Sequence, residues 1–157
     1  MKWLRTTAFF LLLPLLGVEA KERHCTIRLH MQAKQHDPAA LANSAHIKFS
    51  GRGVAIEPFA QISERDVTAF YPYHAADGTY GALFVLDDDG RVKLEALSVE
   101  RRGDFMFVIV NGRAITDLQI DKRVSDGKIY IPSGLSEADI ASMKKDWRLL
   151  GEHKKRR

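Results

Sequence analysis

The sequence predicts an α+β domain in which an antiparallel-rich sheet carries two or three helices packed on one face. Three observations support this class. Short runs of β-branched and aromatic residues are separated by glycine-containing turns, which is typical of antiparallel strands. Two segments in the second half carry apolar residues at helical spacing behind good cap residues. No internal repeat or long linker divides the 157 residues.

The first twenty residues have the pattern of a secretory signal peptide. Lys2 and Arg5 precede an apolar run, and Val18-Glu19-Ala20 offers small residues at the positions that a signal peptidase reads. The uncharged segment 6–18 is only 13 residues long, whereas a membrane-spanning helix needs about 20 residues. A cleaved signal is therefore favoured over a membrane anchor.

This pattern sets the expected organisation and location of the protein. We expect residues 1–20 to be a signal peptide, residues 21–150 to form a single domain, and residues 151–157 to be a basic tail. The mature protein is expected outside the cytoplasm, in the periplasm or secreted, with no transmembrane segment after cleavage.

The formal net charge of +4 comes from the C-terminal tail. Loss of Lys2, Arg5 and Glu19 with the signal would leave +3, and residues 154–157 (Lys-Lys-Arg-Arg) carry four positive charges, so the globular part is near −1. Proteins that bind nucleic acid usually spread basic and aromatic residues over a folded face. No such face is evident, and we expect no nucleic-acid partner.

Cys25 is the only cysteine in the chain. A disulfide framework within the chain is therefore excluded. The alternation of apolar residues around Cys25 places the thiol on the apolar face of a first strand, where it would act as a small buried hydrophobe. An intermolecular disulfide is the alternative.

The first third of the mature chain is predicted to hold short strands around one helical turn. Asp37-Pro38 is a good helix start, with an N-cap followed by a proline at the first helical position. The predicted elements are a strand over 24–33, a turn or short helix over 37–43, a strand over 45–49, a loop at 51–53 and an edge strand or irregular crossing over 54–62, where Pro58 argues against a central strand.

The middle third predicts a hairpin followed by a helix. Residues 67–73 and 80–86 are β-branched and aromatic, and Asp77-Gly78 lies in the loop between them. Asp87-Asp88-Asp89 lacks the ligand spacing of a calcium loop, so we interpret it as a helix start. The helix is predicted over 91–102, with Gly103 as its stop.

The last third carries the clearest pattern. The apolar run 105–110 predicts a central strand, Asn111-Gly112 predicts a tight hairpin turn, and 114–120 predicts the returning strand. A strand over 128–131 is expected to end at Pro132-Ser133-Gly134. The final helix is expected to start at Ser136, with a hydrophobic staple between Leu135 and Ile140 and a buried stripe formed by Ile140, Met143, Trp147 and Leu150.

No catalytic or metal-binding motif stands out. His24 and His30 lie six residues apart on one predicted strand, too far apart to share a metal directly. The chain has no HExxH, CxxC, GxSxG or phosphate-loop pattern. We therefore predict no catalytic residue, no metal site and no cofactor.

Tyr71, Tyr73 and Tyr80 form the candidate binding surface. They lie on the predicted hairpin close to Phe70, which we assign to the core. Exposed tyrosines on a sheet would offer a flat amphipathic surface for a peptide or a glycan. Packing against the last helix is the alternative for these side chains.

Residues 80–143 resemble a known family. The order of a strand, a helix ending at Gly103, the Asn111-Gly112-Arg113 hairpin and the Ser136-Glu137-Ala138 helix start is similar to the head subdomain of the first periplasmic domain of the bacterial export subunits SecD and SecDF. The chain departs from that family in lacking its membrane helices and proton pathway, and its glycine-rich turn is reduced to Asp126-Gly127. The resemblance implies a free-standing head-like module that contacts extended chains, and that head has no catalytic residues.

Two functions are therefore considered. The first is a non-enzymatic extracytoplasmic binding module whose partner is an extended polypeptide or an envelope protein, taken along a sheet edge or an aromatic groove. The strand 114–120 has Asp117 as its only charge and no guarding lysine, which is compatible with an accessible edge. The second is a small extracytoplasmic hydrolase with a site assembled only in the fold.

Overall fold

The computed structural model describes residues 23–34 and 36–151, which form ten strands and three helices. The expected signal peptide and the tail residues 154–157 lie outside the described residues. None of the described helices is long and apolar enough to cross a membrane. The elements are β1 (Ile27–Met31), α1 (Pro38–Ala42), β2 (Ala45–Phe49), β3 (Arg52–Ile56), β4 (Ile62–Ser63), β5 (Val67–His74), β6 (Tyr80–Leu86), α2 (Asp88–Glu100), β7 (Phe105–Val110), β8 (Arg113–Gln119), β9 (Lys128–Leu135), α3 (Glu137–Asp146) and β10 (Arg148–Leu149).

The predicted α+β class with antiparallel-rich strands is confirmed, and the strands divide between two four-stranded sheets and one hairpin. Sheet one has the order β4-β1-β7-β8, and sheet two has the order β10-β5-β6-β9. Strands β2 and β3 form the separate hairpin. All ladders are antiparallel except the short one between β10 and β5. Strand β7 lies between β1 and β8, as expected for the apolar run 105–110.

One hydrophobic core is shared by both sheets and by the helices α2 and α3. Sheet one contributes Leu29 and Val108, and sheet two contributes Phe70 and Phe84. Trp147 packs edge-on against both phenylalanines, with ring centroids 6.3 and 6.1 Å away. Burial of a single such side chain stabilises a fold by about 1.5–3 kcal/mol, so this cluster holds sheet two against the last helix.

Short-range signals located several elements correctly. Asp37 caps α1, and its carboxylate accepts from the amides of Ala39 and Ala40. Asn111 has φ +48° and Gly112 has φ +78°, as a tight turn between β7 and β8 requires. Ser136 caps α3 through a capping box with Asp139.

Strands β3 and β9 extend further than predicted. Arg52 and Gly53 belong to β3 and not to a loop, because they pair with Phe49 and Lys48 of β2. Strand β9 continues through residues 132–134 to Leu135, which pairs with Tyr80 across a bulge.

The predicted helical stripe also extends too far. Helix α3 ends at Asp146, and β10 follows it. Leu150 therefore lies beyond the helix, where its amide donates to the carbonyl oxygen of Phe70 at 2.9 Å. The pairing with β5 competes successfully with another helical turn.

Cys25 is fully buried, as predicted, and is a free thiol. Burial raises the pKa of the Cys25 thiol to about 12, and the negative charges of Asp139 and Asp146 add to the effect. The thiol is therefore protonated at neutral pH, and a protonated thiol is a poor nucleophile.

The buried carboxylate of Asp139 connects the β7–β8 hairpin to α3. It accepts from the Asn111 side chain at 2.9 Å, from the Arg113 guanidinium at 2.5 Å and from the Ser136 hydroxyl at 2.7 Å. Burial by itself raises the pKa of Asp139, but the hydrogen bonds from Ser136 and Asn111 and the charge of Arg113 outweigh it and hold this pKa below its usual value. A low pKa in the folded state means that the ionised group stabilises the fold.

We predict that Asp139→Asn lowers the free energy of unfolding at pH 7 by about 2 kcal/mol, because it weakens the capping box with Ser136 and removes the ion pair with Arg113. The contribution of Asp139 is complete above the unfolded carboxyl pKa of about 3.9 and is lost as pH falls through the lower folded pKa. The difference from the parent chain should therefore shrink in acid. Chemical denaturation at pH 7 and below pH 3 measures it, with Asp117→Asn, an exposed carboxylate on β8, as the control. A constant difference at both pH values would contradict the assignment.

Candidate functional site

The outer face of sheet two is the most distinctive surface of the described chain. Cross-strand pairing places Tyr71 of β5 beside Leu83 of β6, and Leu83 beside Tyr130 of β9. Tyr71 is 52% exposed and Tyr130 is 58% exposed, so no described element covers them. We call Tyr71, Tyr73, Leu83 and Tyr130 the aromatic face.

Tyr73 and Tyr130 stack across the intervening strand. Their ring centroids are 5.4 Å apart and their planes differ by 8°. The Tyr73 hydroxyl donates to the carbonyl oxygen of Ile131 at 2.6 Å and lies 3.1 Å from that of Pro132. Burial, with Tyr130 adding to it, raises the pKa of Tyr73, which keeps the hydroxyl protonated and able to donate. The stack is therefore tied to the backbone of β9.

Gly81 makes this crossing possible. It pairs with Tyr73 in the β5–β6 ladder, and the tyrosine ring lies over it. A Cβ at Gly81 would be 2.2 Å from Cζ of Tyr73 and 2.5 Å from the carbonyl oxygen of Pro132. Only glycine leaves room for the ring between β5 and β9.

The three tyrosines of the sequence-derived surface do not lie on one face. Tyr71 and Tyr73 belong to the aromatic face, whereas Tyr80 is half-buried and packs against the core and against the ring of His74. Tyr130 takes the place that Tyr80 was expected to fill. In the sequence, Tyr130 is a single aromatic residue between Ile129 and Ile131, and this alternation places it on the outward face. Its neighbours on that face depend on the partner strand, which the sequence does not identify.

The backbone of β9 directs hydrogen-bonding groups to a free sheet edge next to the aromatic face. Strand β9 lies at the edge of sheet two. The Leu86 amide donates to the Gly127 carbonyl oxygen at 2.9 Å. Because hydrogen-bonded pairs alternate along an antiparallel ladder, Ile129 directs its backbone groups toward β6, whereas Lys128 and Tyr130 direct theirs toward the free edge. The Lys128 amide is already engaged there, because it donates to Oδ1 of Asp126 at 3.2 Å.

A mainly apolar cleft of about 420 Å³ opens along this edge. It lies between β9 and β8, the edge strand of sheet one, and α2 also lines it. Its apolar lining is Leu83, Leu94, Met106, Leu118, Ile120, Val124, Ile129 and Tyr130, and its charged lining is Asp121, Lys122, Asp126 and Lys128. A concave apolar surface with a few charged groups has the character of a ligand-binding site.

The cleft closes toward the C-terminal end of β9. Gly134 has φ +97° and lies so close to β8 that a Cβ on it would be 2.9 Å from Cγ2 of Ile115. The Gly134 amide is held by the Thr79 hydroxyl at 2.7 Å. The bulge at 132–134 therefore brings the two sheet edges together at one end and leaves the cleft at the other.

The buried side chains of His30, Asp66 and Asp146 make structural contacts, whereas Nε1 of Trp147 and Oε2 of Glu64 are buried without a hydrogen-bond partner. His30 lies within 2.9 Å of the Glu57 carbonyl oxygen through Nδ1. Asp66 contacts Lys93 at 2.7 Å, and Asp146 accepts from the amides of His24 and Cys25. Among residues 23–34 and 36–151, no group of three or more histidine, cysteine, aspartate or glutamate side chains could hold a metal ion.

Two solved SecDF structures have a similar fold. One is described as SecDF in a super-membrane-facing form; the match has a TM-score of 0.56 and 13% identity and covers 80% of this chain. The other is described as a membrane component SecDF that enhances protein export; the match has a TM-score of 0.56 and 14% identity and covers 84% of this chain. This chain spans 19% and 69% of the lengths of those two chains. At such identities the likeness shows the fold.

No family model and no curated protein matches the sequence. The structural likeness extends over most of the described residues, whereas the sequence resemblance to the SecD and SecDF head covered residues 80–143. The SecDF-like part of the fold is therefore larger than the sequence indicated.

We predict that Gly81→Ala destabilises the chain by about 1–3 kcal/mol, because the added methyl group forces Tyr73 or β9 to move. Thermal unfolding followed by near-UV circular dichroism measures both the stability and the loss of the tyrosine stack. Gly53→Ala is the matched control, because Gly53 is also a strand glycine and nothing lies within 4 Å of a Cβ there. Equal stability of the two variants would show that Tyr73 is not held over Gly81.

Proposed function

We propose that this protein is a non-enzymatic extracytoplasmic interaction module that contacts extended polypeptide, with the aromatic face and the adjoining edge of β9 as its binding surface. The observation that carries the proposal is the exposure of Tyr71 and Tyr130 beside an unpaired strand edge. Exposed tyrosines give large contact areas at a low cost in conformational entropy. A free strand edge supplies the main-chain donors and acceptors that an extended chain needs.

The chemistry of this surface suits a ligand with a polypeptide backbone and mixed side chains. The aromatic face contributes flat apolar area with hydroxyl groups at its margin. The cleft beside it is mainly apolar and carries charges of both signs at its mouth. A chain of varied sequence can satisfy such a surface through its backbone, since its side chains need only be apolar at some positions.

The fold likeness supports the same proposal. One of the similar structures is described as a membrane component that enhances protein export, and a module related to it would meet chains in an extended state. The signal-like residues 1–20 support action outside the cytoplasm. By this proposal, the partner is an extended secreted polypeptide or an envelope protein.

The aromatic face gives a direct test of the proposed function. We predict that the double substitution Tyr71→Ser and Tyr130→Ser weakens binding of a reduced, unfolded secreted polypeptide by about tenfold, which is roughly 1.4 kcal/mol. The loss of two exposed rings is the physical cause. A residue-resolved chemical-shift titration of the chain with that polypeptide measures the affinity and locates the contact.

A matched control uses two equally exposed apolar residues on α2. Val92 and Val99 are 56% and 58% exposed, and the double substitution Val92→Ser and Val99→Ser should leave binding unchanged. Equal effects of both double variants, or the absence of shifts at high polypeptide concentration, would contradict the proposed function.

A further inference from the structure

We infer that the polypeptide binds as an added strand, antiparallel to β9 along residues 128–131, with alternate side chains in the cleft and beside Tyr130. This inference rests on the proposed function and specifies how the same site recognises its ligand. It also assigns a preference for extended segments that carry an apolar residue at every second position.

The backbone geometry of β9 defines where a strand can be added. Lys128 and Tyr130 direct their backbone groups to the free edge, since the Leu86–Gly127 hydrogen bond sets the alternation of the ladder. Further along, Pro132 has no amide hydrogen, and the bulge at 132–134 bends the strand toward β8. The usable edge is therefore four residues long and ends at Ile131. Within it Tyr130 supplies the free amide, because the Lys128 amide donates to Asp126 and an added strand would have to displace that carboxylate.

The cleft is placed to receive the inward side chains of an added strand. Ile129 of β9 points into the core and is 5% exposed, whereas its neighbour Tyr130 points outward. A strand beside β9 would alternate in the same way. Its inward residues would enter the cleft next to Ile129, Leu118 and Met106. A charged side chain there would lose its hydration against an apolar lining, so the cleft favours aliphatic residues.

The outward side chains of the added strand would lie beside the aromatic face. In an antiparallel pair, directly opposite residues have their side chains on the same face of the sheet. The ligand residue opposite Tyr130 would therefore extend the aromatic face by one position. Tyr73 holds the Tyr130 ring in place through the stack and through its hydrogen bond to Ile131. One bound segment can thus use both the cleft and the aromatic face.

The facing edge of β8 is a poorer template. Gly134 lies against Ile115 and covers the start of β8, and β2 of the β2–β3 hairpin also lies close to β8. Asp117, which the sequence placed on an accessible edge, lines a polar depression together with residues of that hairpin. β8 is therefore an edge strand as expected, but β9 has the more open edge.

Backbone methylation of a synthetic peptide tests the inference directly. The probe is an eight-residue peptide of alternating leucine and threonine, blocked at both ends. In the antiparallel arrangement the leucines enter the cleft, so the threonine amides face β9. Methylation of the threonine amide nitrogens should weaken binding to the full chain by at least about tenfold, since at least two hydrogen bonds are lost. Methylation of the leucine amide nitrogens should change the affinity less than about threefold.

The outcomes separate this inference from the proposed function. Equal affinity of all three peptides would overturn strand addition while leaving polypeptide binding intact. Loss of binding only for the leucine-methylated peptide would overturn the antiparallel arrangement. Failure of the unmodified peptide and of an unfolded secreted polypeptide to bind would overturn the proposed function itself.

A pair of protein variants tests strand addition by changing the backbone of β9 instead of the peptide. Tyr130→Pro removes an amide that faces the free edge, and Tyr130→Ala removes the same side chain but keeps that amide. The proline variant should bind the unmodified peptide about tenfold more weakly than the alanine variant. If Tyr130→Pro does not fold by far-UV circular dichroism, the comparison of the methylated peptides on the parent chain remains the test. Equal binding of the proline and alanine variants would contradict strand addition.

Discussion

The two four-stranded sheets bury one shared core, yet no hydrogen-bonded ladder joins β8 to β9 within the described part of the chain. The shared core and the missing ladder together determine the shape of the surface between the two sheets. A shared core forces the sheet edges close together, while the bulge with Gly134 brings them into contact at one end only. The remaining gap becomes an apolar cleft, because the residues at its base belong to the core. A strand edge with unpaired backbone groups is thus left beside exposed aromatic side chains.

Tyr73 makes the exposed surface rigid. Its ring crosses Gly81 and stacks on Tyr130, and its hydroxyl bonds to the backbone of β9. Aromatic contacts of this kind contribute about 0.5–1.5 kcal/mol beyond the area that they bury. A surface held in this way loses little conformational entropy when it binds a ligand. By contrast, the buried carboxylates of Asp66 and Asp139 are committed to turn or cap hydrogen bonds and to ion pairs that hold the elements together.

The sequence predicted best those features that are decided by neighbouring residues. Asp37 and Ser136 start their helices through side-chain hydrogen bonds to amides two or three residues away. The division into two sheets, the continuation of β9 and the pairing of Tyr73 with Tyr130 depend on contacts between distant segments. Pro132 is an example, because proline lacks the amide hydrogen that a central strand needs and therefore predicts a strand end. The pairing of Leu135 with Tyr80 of β6 nevertheless continues β9 past this residue. The inward position of Tyr80 follows from the same ladder.

The most direct measurement of strand addition is amide hydrogen exchange of Tyr130, with and without a bound extended peptide. In the free chain this amide faces the open edge and should exchange quickly, whereas β6 protects the Ile129 amide and Asp126 accepts from the Lys128 amide. Strand addition predicts that Tyr130 becomes at least about tenfold slower to exchange when the peptide is bound. Unchanged exchange at Tyr130, in a complex whose tyrosine side-chain signals shift, would contradict strand addition at β9.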